Sequence, residues 1–287
     1  MKTYTFGLIG HPLTHSLSPT IHRAALEAVG LEGSYALFPA PPFPDGTITL
    51  ERLLESLRAG EIDGLNVTIP HKQTVIAFLD RLSPAAAAIG AVNTISAGEG
   101  LLTGDNTDAE GFRRDLARTL APTPGAALIL GAGGSARAIA YTLLQDGWRV
   151  AVAARRLEQA QALASELPGV AALDGLPPDE AAVNAWGPSL LVNTTPLGTI
   201  PRTGETPWPE NRPLPAGCAV YDLVYNPRET ALLRSARRQG LPAAGGLGML
   251  AEQAALAFEI WTGRRPQVEK LRLAAENALL AMRSDQN

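Results

Sequence analysis

Cysteine occurs once in 287 residues, as Cys218. A single thiol excludes an intrachain disulfide and a thiolate metal cluster. It adjoins the apolar run 219–224, where a small buried side chain is the plain expectation. Lysine is nearly absent too: it appears only as Lys2, Lys72 and Lys270, and arginine takes the other cationic positions. No basic cluster exceeds a few residues and the net charge is −4. A phosphate backbone needs a broad positive stripe, so nucleic acid is not an expected partner. No apolar run is as long as a membrane span, and residues 1–10 lack the apolar core and cleavage site of a signal peptide. A cytoplasmic protein without a membrane partner is expected. His11, His15, His22 and His71 match no common zinc spacing and have no acid at ligand distance beside them, so no metal is expected. Hydrolase signatures such as Gly-x-Ser-x-Gly are missing, as are internal repeats and low-complexity tracts.

What is present is a chain that is 46% hydrophobic and long enough for two ordinary domains. Its organising stretch is 128–138, where an apolar run enters a glycine-rich turn that opens a helix. The run 126–130 is apolar throughout, as a strand buried on both faces requires. Gly131 permits the tight turn, Gly133 lets a pyrophosphate approach the backbone, and Ala136 allows close packing of helix on strand. With Gly134 and Ser135, the start of the helix presents backbone N–H groups and the favourable end of its dipole to phosphate. The same pattern serves a helix that merely packs close to a sheet. A strand before it, a helix 135–145 after it and a second strand 149–154 favour a dinucleotide site.

The end of the second strand selects the cofactor. An NAD site carries an acid about 20 residues past the fingerprint for the ribose 2′-hydroxyl. Here Arg155 and Arg156 stand there, and the first acid is Glu158. Guanidiniums suit a 2′-phosphate, which they grip by charge-assisted forked bonds, so NADP is expected. One of the two arginines is equally well read as a solvated surface charge.

Strand and helix alternate along the whole chain. The first half reads as a strand 5–10, a helix from Ser18 (N-cap) and Pro19 to Gly30, and a strand 34–39. A helix 50–58, a strand 62–69 and a helix opened by Pro70 follow. After a short helix capped by Ser83 come strands 91–96 and 101–104. Next is a long helix capped by Thr107, with Glu110 as its capping-box partner. The segment 121–125 is a linker by composition. Beyond the fingerprint come a helix 157–167, strands 170–173 and 190–193, and a proline-rich loop 201–215. A strand 219–225, a helix 230–239, a glycine-rich segment 243–248 and helices 249–262 and 266–282 complete the chain. The last two helices have apolar faces and are expected to return to the first domain. A cofactor domain beside an α/β unit lacking a phosphate loop places a small-molecule substrate in the cleft between them.

Lys72 is the most informative candidate. A cation is disfavoured in the first turn of a helix, so a carboxylate partner and a proton-transfer role are the functional reading; the plain one is a surface lysine. Asp108 is the candidate partner, although an acid in a first turn is also ordinary dipole complementation. Ser16 and Ser18 put two hydroxyls at a helix start, which suits a carboxylate, and Ser18 also suits a cap.

Taken together, these motifs resemble the shikimate 5-dehydrogenase family. They are GHPLTHSLSPTIH at 10–22, NVTIPHK at 66–72, GAVNT at 90–94 and GDNTD at 104–108. After them come GAGGS at 131–135, NTTPLG at 193–198, YDLVY at 221–225 and GLGMLAEQAALAF at 246–258. Any one is weak; eight in this order are specific. The resemblance implies an NADP-dependent oxidoreductase of the shikimate pathway that reduces 3-dehydroshikimate to shikimate. It implies an α/β fold of two α/β domains. The N-terminal substrate-binding domain would span 1–105, with helices 249–287 packed back on it, and a Rossmann NADP-binding domain would span 106–248.

By the same resemblance Ser16, Ser18 and Tyr225 bind the substrate carboxylate. Asn66, Thr68, Asn93 and Gln253 hold the ring hydroxyls, and Lys72 and Asp108 form the catalytic pair. Gly131, Gly133, Gly134 and Ser135 cradle the pyrophosphate, and Gly246 lies near the nicotinamide. Two positions depart from the family pattern. The usual Asn-Arg-Thr reads Ala154-Arg155-Arg156, keeping one arginine while Arg156 stands in for lost polar contacts, and Thr199 replaces a frequent methionine. A quinate/shikimate dehydrogenase using NAD shares most of the motifs but would want an acid where Arg155 stands. A silent NADP sensor would have no need of the lysine–aspartate pair, and at 287 residues no fused dehydratase domain is expected. A monomer or a homodimer is expected.

Overall fold

The computed structural model describes residues 2–284. Two compact units form. One runs up to Gly111 and resumes at Leu250; the other spans Phe112–Met249. Both chain crossings lie within helices. The proline-bearing segment 121–125, read above as a linker, is a loop inside the second unit.

In the first unit, β1 (Thr3–Gly10), α1 (Ser18–Val29), β2 (Glu32–Pro39), α2 (Thr47–Arg58) and β3 (Gly64–Val67) alternate. A short 3₁₀ helix at Thr74–Phe78, β4 (Arg81–Leu82), α3 (Pro84–Ile89), β5 (Thr94–Gly98) and β6 (Leu101–Asp105) follow, and α4 (Thr107–Thr119) leads out of the unit. The sheet order is β2-β1-β3-β5-β6-β4. Strands β1, β2 and β3 are parallel, whereas β5 runs antiparallel to both β3 and β6. The register aligns Asn66 with Thr94 and Thr94 with Asp105. Three motifs separate in sequence therefore meet at one end of three adjacent strands.

Three local expectations need correction. Pro70 does not open a helix: Lys72 lies in a turn after a cis Ile69–Pro70 bond, and its carbonyl accepts from Val92 N–H (2.7 Å). Ser18 is the first helical residue and not the N-cap. Leu17 takes the cap position without a side-chain bond, so the Ser18 hydroxyl is not spent on capping. At α4 the capping acceptor is Asn106 Oδ1, which receives Ala109 N–H (3.3 Å), while the Thr107 hydroxyl turns to tertiary partners.

The C-terminal helices α9 (Leu247–Thr262) and α10 (Val268–Ser284) supply the remaining cover. On α9, Ala251, Ala254, Ala255, Ala257 and Phe258 are all buried. Trp261 lies so flat against β3 that a Cβ on Gly64 would stand 2.4 Å from its ring, and its indole N–H donates to Ile95 O (3.0 Å). Glycine at 64 is therefore a packing requirement. Phe6 stacks on the same indole at 4.8 Å. His22 is buried and stacked face to face on Tyr35 (4.2 Å). Burial pushes its imidazole down to about 3. The folded chain thus stays neutral there while the unfolded chain takes up a proton below its ordinary 6.5, so this contribution to stability is lost as pH falls from 6.5 towards 3. His22→Phe is expected to flatten the acid limb of the stability curve by about 1.4 kcal/mol per pH unit between those limits, measured by urea unfolding at several pH values. Equal slopes for both proteins would contradict a neutral His22.

The second unit is a wholly parallel sheet of order β12-β11-β10-β7-β8-β9. Its elements are β7 (Ala126–Leu130), α5 (Gly134–Gln145), β8 (Arg149–Ala154), α6 (Leu157–Glu166), β9 (Val170–Asp174) and α7 (Glu180–Trp186). They continue with β10 (Leu190–Asn193), β11 (Ala219–Asp222), α8 (Ala231–Arg238) and β12 (Ala243–Gly245). The chain winds outward from β7 to β9, then returns to β10 on the other side of β7. That reversal makes the crevice between β7 and β10 the topological switch point, where open α/β sheets bind ligands. Cys218 is fully buried beside Val220 and Leu232, and burial pushes its thiol up to about 12. The native protein is expected to resist iodoacetamide at neutral pH, read by intact mass, because the thiolate is the nucleophile.

Candidate active site

In the first unit the polar groups converge where β3 and β6 end and β5 and α4 begin. Lys72 Nζ contacts Asp108 Oδ2 at 2.5 Å, with side chains only 11% and 7% exposed. An ion pair removed from water to this degree holds its geometry, because separation would leave a buried charge unpaired. Asp108 Oδ1 receives a second bond from Asn93 Nδ2 (2.9 Å). The Asn93 amide is itself fixed, because Oδ1 accepts from Thr107 N–H (2.8 Å) and Nδ2 donates to Thr107 Oγ1 (3.0 Å). Gln253, arriving from α9, brings Oε1 to 3.4 Å from Asn93 Nδ2 and is held by its own Nε2 donating to Leu250 O (3.0 Å).

Asn66 continues this network. Its Nδ2 donates to Asn93 O and Thr94 Oγ1, both at 3.1 Å, and its Oδ1 accepts from the Tyr35 hydroxyl at 2.8 Å. Burial holds the Tyr35 phenol above its ordinary value, with the Ser18 hydroxyl as a weaker opposing neighbour. Ser16 and Ser18 are half-buried, and Ser16 Oγ accepts Ser18 N–H (3.3 Å). Thr68 packs its methyl against Gly10, where a Cβ would stand 2.3 Å away, so the loop following β1 lies against the one following β3. The first unit thus brings together Asn66, Asn93, Gln253, Lys72 and Asp108, with Ser18 reached through Tyr35. Tyr225 lies on the second unit, just beyond β11, where burial raises its phenol above the usual range. Tyr35 and Thr94 escaped the sequence reading. Their hydroxyls act across strands, and no local spacing marks them.

In the second unit the phosphate turn has the shape a dinucleotide needs. Gly131 adopts φ +110°, and a Cβ there would lie 2.5 Å from Thr194 Oγ1. Gly133 is the N-cap of α5 with no side-chain bond, and the space a Cβ would enter is open. An open cradle in front of the N-terminal turn of a helix fits a pyrophosphate. Gly134 and Ser135 form the first turn of α5. Arg155 and Arg156 are exposed at the end of β8, and Arg156 caps α6 without a side-chain bond. Gly246 is pressed against the end of β11, where a Cβ would stand 2.2 Å from Leu223 O. Asp222 is fully buried, and desolvation pushes its carboxyl up to about 6 despite its hydrogen bonds. Among the described residues no three His, Cys, Asp or Glu side chains are placed to hold a metal, and no helix is long and apolar enough to cross a membrane.

Residues 8–95 match the family described as shikimate dehydrogenase substrate binding domain, and residues 246–276 match the shikimate 5'-dehydrogenase C-terminal domain. A shikimate dehydrogenase (NADP(+)) of Methylobacterium radiotolerans is 47% identical, covering 91% of this chain and 92% of its own. Among solved structures, shikimate 5-dehydrogenase from Thermus thermophilus in complex with NADP(H) and shikimate superposes with a TM-score of 0.85 at 41% identity, covering 96% of this chain and 99% of that one. Quinate dehydrogenase from Corynebacterium glutamicum in complex with NAD reaches 0.84 at 33% identity, covering 95% and 98%. Backbone similarity alone therefore does not separate these two cofactors and substrates, and side chains must.

Proposed function

Because the chain belongs to the shikimate dehydrogenase family, we propose that it catalyses the reversible reduction of 3-dehydroshikimate to shikimate with NADPH, with Lys72 and Asp108 as its catalytic pair. The reaction is a step towards chorismate and the aromatic amino acids. The observation that supports the pair most strongly is the desolvated Lys72–Asp108 contact, fixed from behind by Asn93.

NADPH, when bound, supplies the hydride that the carbonyl carbon accepts. Gly131, Gly133, Gly134 and Ser135 would hold its pyrophosphate, Arg155 and Arg156 its 2′-phosphate, and Gly246 would border the nicotinamide. As the carbonyl carbon is reduced, negative charge grows on its oxygen. The Lys72 ammonium stabilises that charge and hands over a proton, while Asp108 keeps Nζ in place. Ser16 and Ser18 take the substrate carboxylate. Asn66, Thr68, Asn93 and Gln253 take the ring hydroxyls. Amides held by fixed partners meet ring hydroxyls in one orientation only, which favours the substrate whose hydroxyls match it.

The test is stoichiometric. Purified protein given 3-dehydroshikimate and NADPH should form one shikimate, identified by chromatography, for each NADPH consumed. NADPH consumption without shikimate would overturn the assignment.

A further inference from the structure

Asp222 ends β11 beside Asn193, the end of β10, and the two are register partners. Its carboxylate collects three donors: Asn193 Nδ2 (2.8 Å) and Val224 N–H (3.0 Å) on Oδ1, and Thr230 Oγ1 (2.6 Å) on Oδ2. Donating to Asp222 settles which way the Asn193 amide faces. Its oxygen is then free to accept from Thr195 N–H (2.9 Å) and Thr195 Oγ1 (2.7 Å). Thr194 Oγ1 meanwhile donates to Leu130 O (2.8 Å), beside the phosphate turn. One buried carboxylate therefore organises the loop 194–198, the segment after β11 and, through Thr230, the start of α8, whose Leu233 N–H the same hydroxyl accepts (3.2 Å). A fully buried carboxylate costs desolvation, so three convergent donors point to a position held for geometry.

The sheet shows which half of a dinucleotide this loop faces. Arg155 and Arg156 close β8, on one side of the switch point. With the 2′-phosphate there, the adenosine half lies over β8 and the other half over β10 and β11. We infer that Asp222, acting through the Asn193 amide, is a positioning residue for the nicotinamide half of NADP. This rests on the cofactor reading above. The carboxylate contributes as an acceptor and not through its charge, because an asparagine oxygen at 222 could still accept from Asn193 and Val224 while its amide donates to Thr230.

Calorimetric titration of Asp222→Ala, Asp222→Asn and the wild type with NADP and with adenosine 2′,5′-bisphosphate, which lacks the nicotinamide, tests this. Asp222→Ala should weaken NADP about fivefold or more, the scale of one lost hydrogen bond, and leave the bisphosphate within about twofold. Asp222→Asn should recover most of the NADP affinity. If Asp222→Ala does not fold, Thr195→Val, which removes one donor to Asn193, should show the same selective loss. Unchanged NADP affinity, or equal loss of both ligands, overturns the proposal. A wild type that binds neither ligand overturns the cofactor reading and the proposal with it, and is told apart because the unaltered protein itself fails.

Discussion

Lys72→Ala is expected to lower kcat at least about 100-fold, the usual scale for a lost acid–base group, with a smaller change in the KM for shikimate. The reason lies in what else surrounds the reacting oxygen's partner. Asn93, Thr107 and Gln253 are bonded to one another, and Asn93 also to Asp108, and none of them is an ammonium that carries both charge and proton. Asp108→Ala should lose a comparable factor, since Nζ then has lost the carboxylate that places it. The double variant should be little worse than either single one, because groups that act as a unit are non-additive. Steady-state kinetics checks all three. A Lys72→Ala enzyme with near-normal kcat would remove the pair from the mechanism.

Arg155→Gln is expected to raise the KM for NADPH about 10- to 100-fold while leaving that for NADH nearly unchanged. The side chain is exposed at the end of β8, where the 2′-phosphate of a dinucleotide on this sheet would fall. A charge-assisted fork is lost with NADPH and has no counterpart with NADH. Arg156→Gln should act in the same direction. Cofactor titrations with NADPH and with NADH at fixed 3-dehydroshikimate measure both. A parallel rise for NADPH and NADH would show that Arg155 supports the fold and not the phosphate.

The second unit was legible because its signals are local. The apolar run of β7, the turn at Gly131 and the small residues of α5 are consecutive, and each does in the fold what its chemistry implies. The two arginines after β8 are likewise a local signal, two adjacent residues at a strand end. Legibility failed where distant groups compete for a side chain. The Thr107 hydroxyl has capping chemistry, but Asn93 and Gln253 draw it away, and Gln253 lies 146 residues further along the chain. Ser18 has the residue type of a cap, yet the helix begins one residue too early for that. Pro70 has the form of a helix opener and instead stands in a turn. The partnership of Lys72 and Asp108 was indicated by type and motif. What fixes it, the alignment of Asn66, Thr94 and Asp105 across β3, β5 and β6, is a property of sheet register and is written in no single segment. The short elements β4, α7 and β12 have too few residues to show a period.

The most direct test is a set of initial rates followed by cofactor absorbance, with shikimate and quinate each paired with NADP and NAD. Turnover concentrated in the shikimate and NADP pair is the predicted result, since it requires both the substrate network around Asn66 and the arginines after β8. Comparable rates with quinate or NAD would contradict the claim that these side chains select substrate and cofactor. No turnover with any pair, in a protein that still binds NADP, would contradict the catalytic role of Lys72 and Asp108.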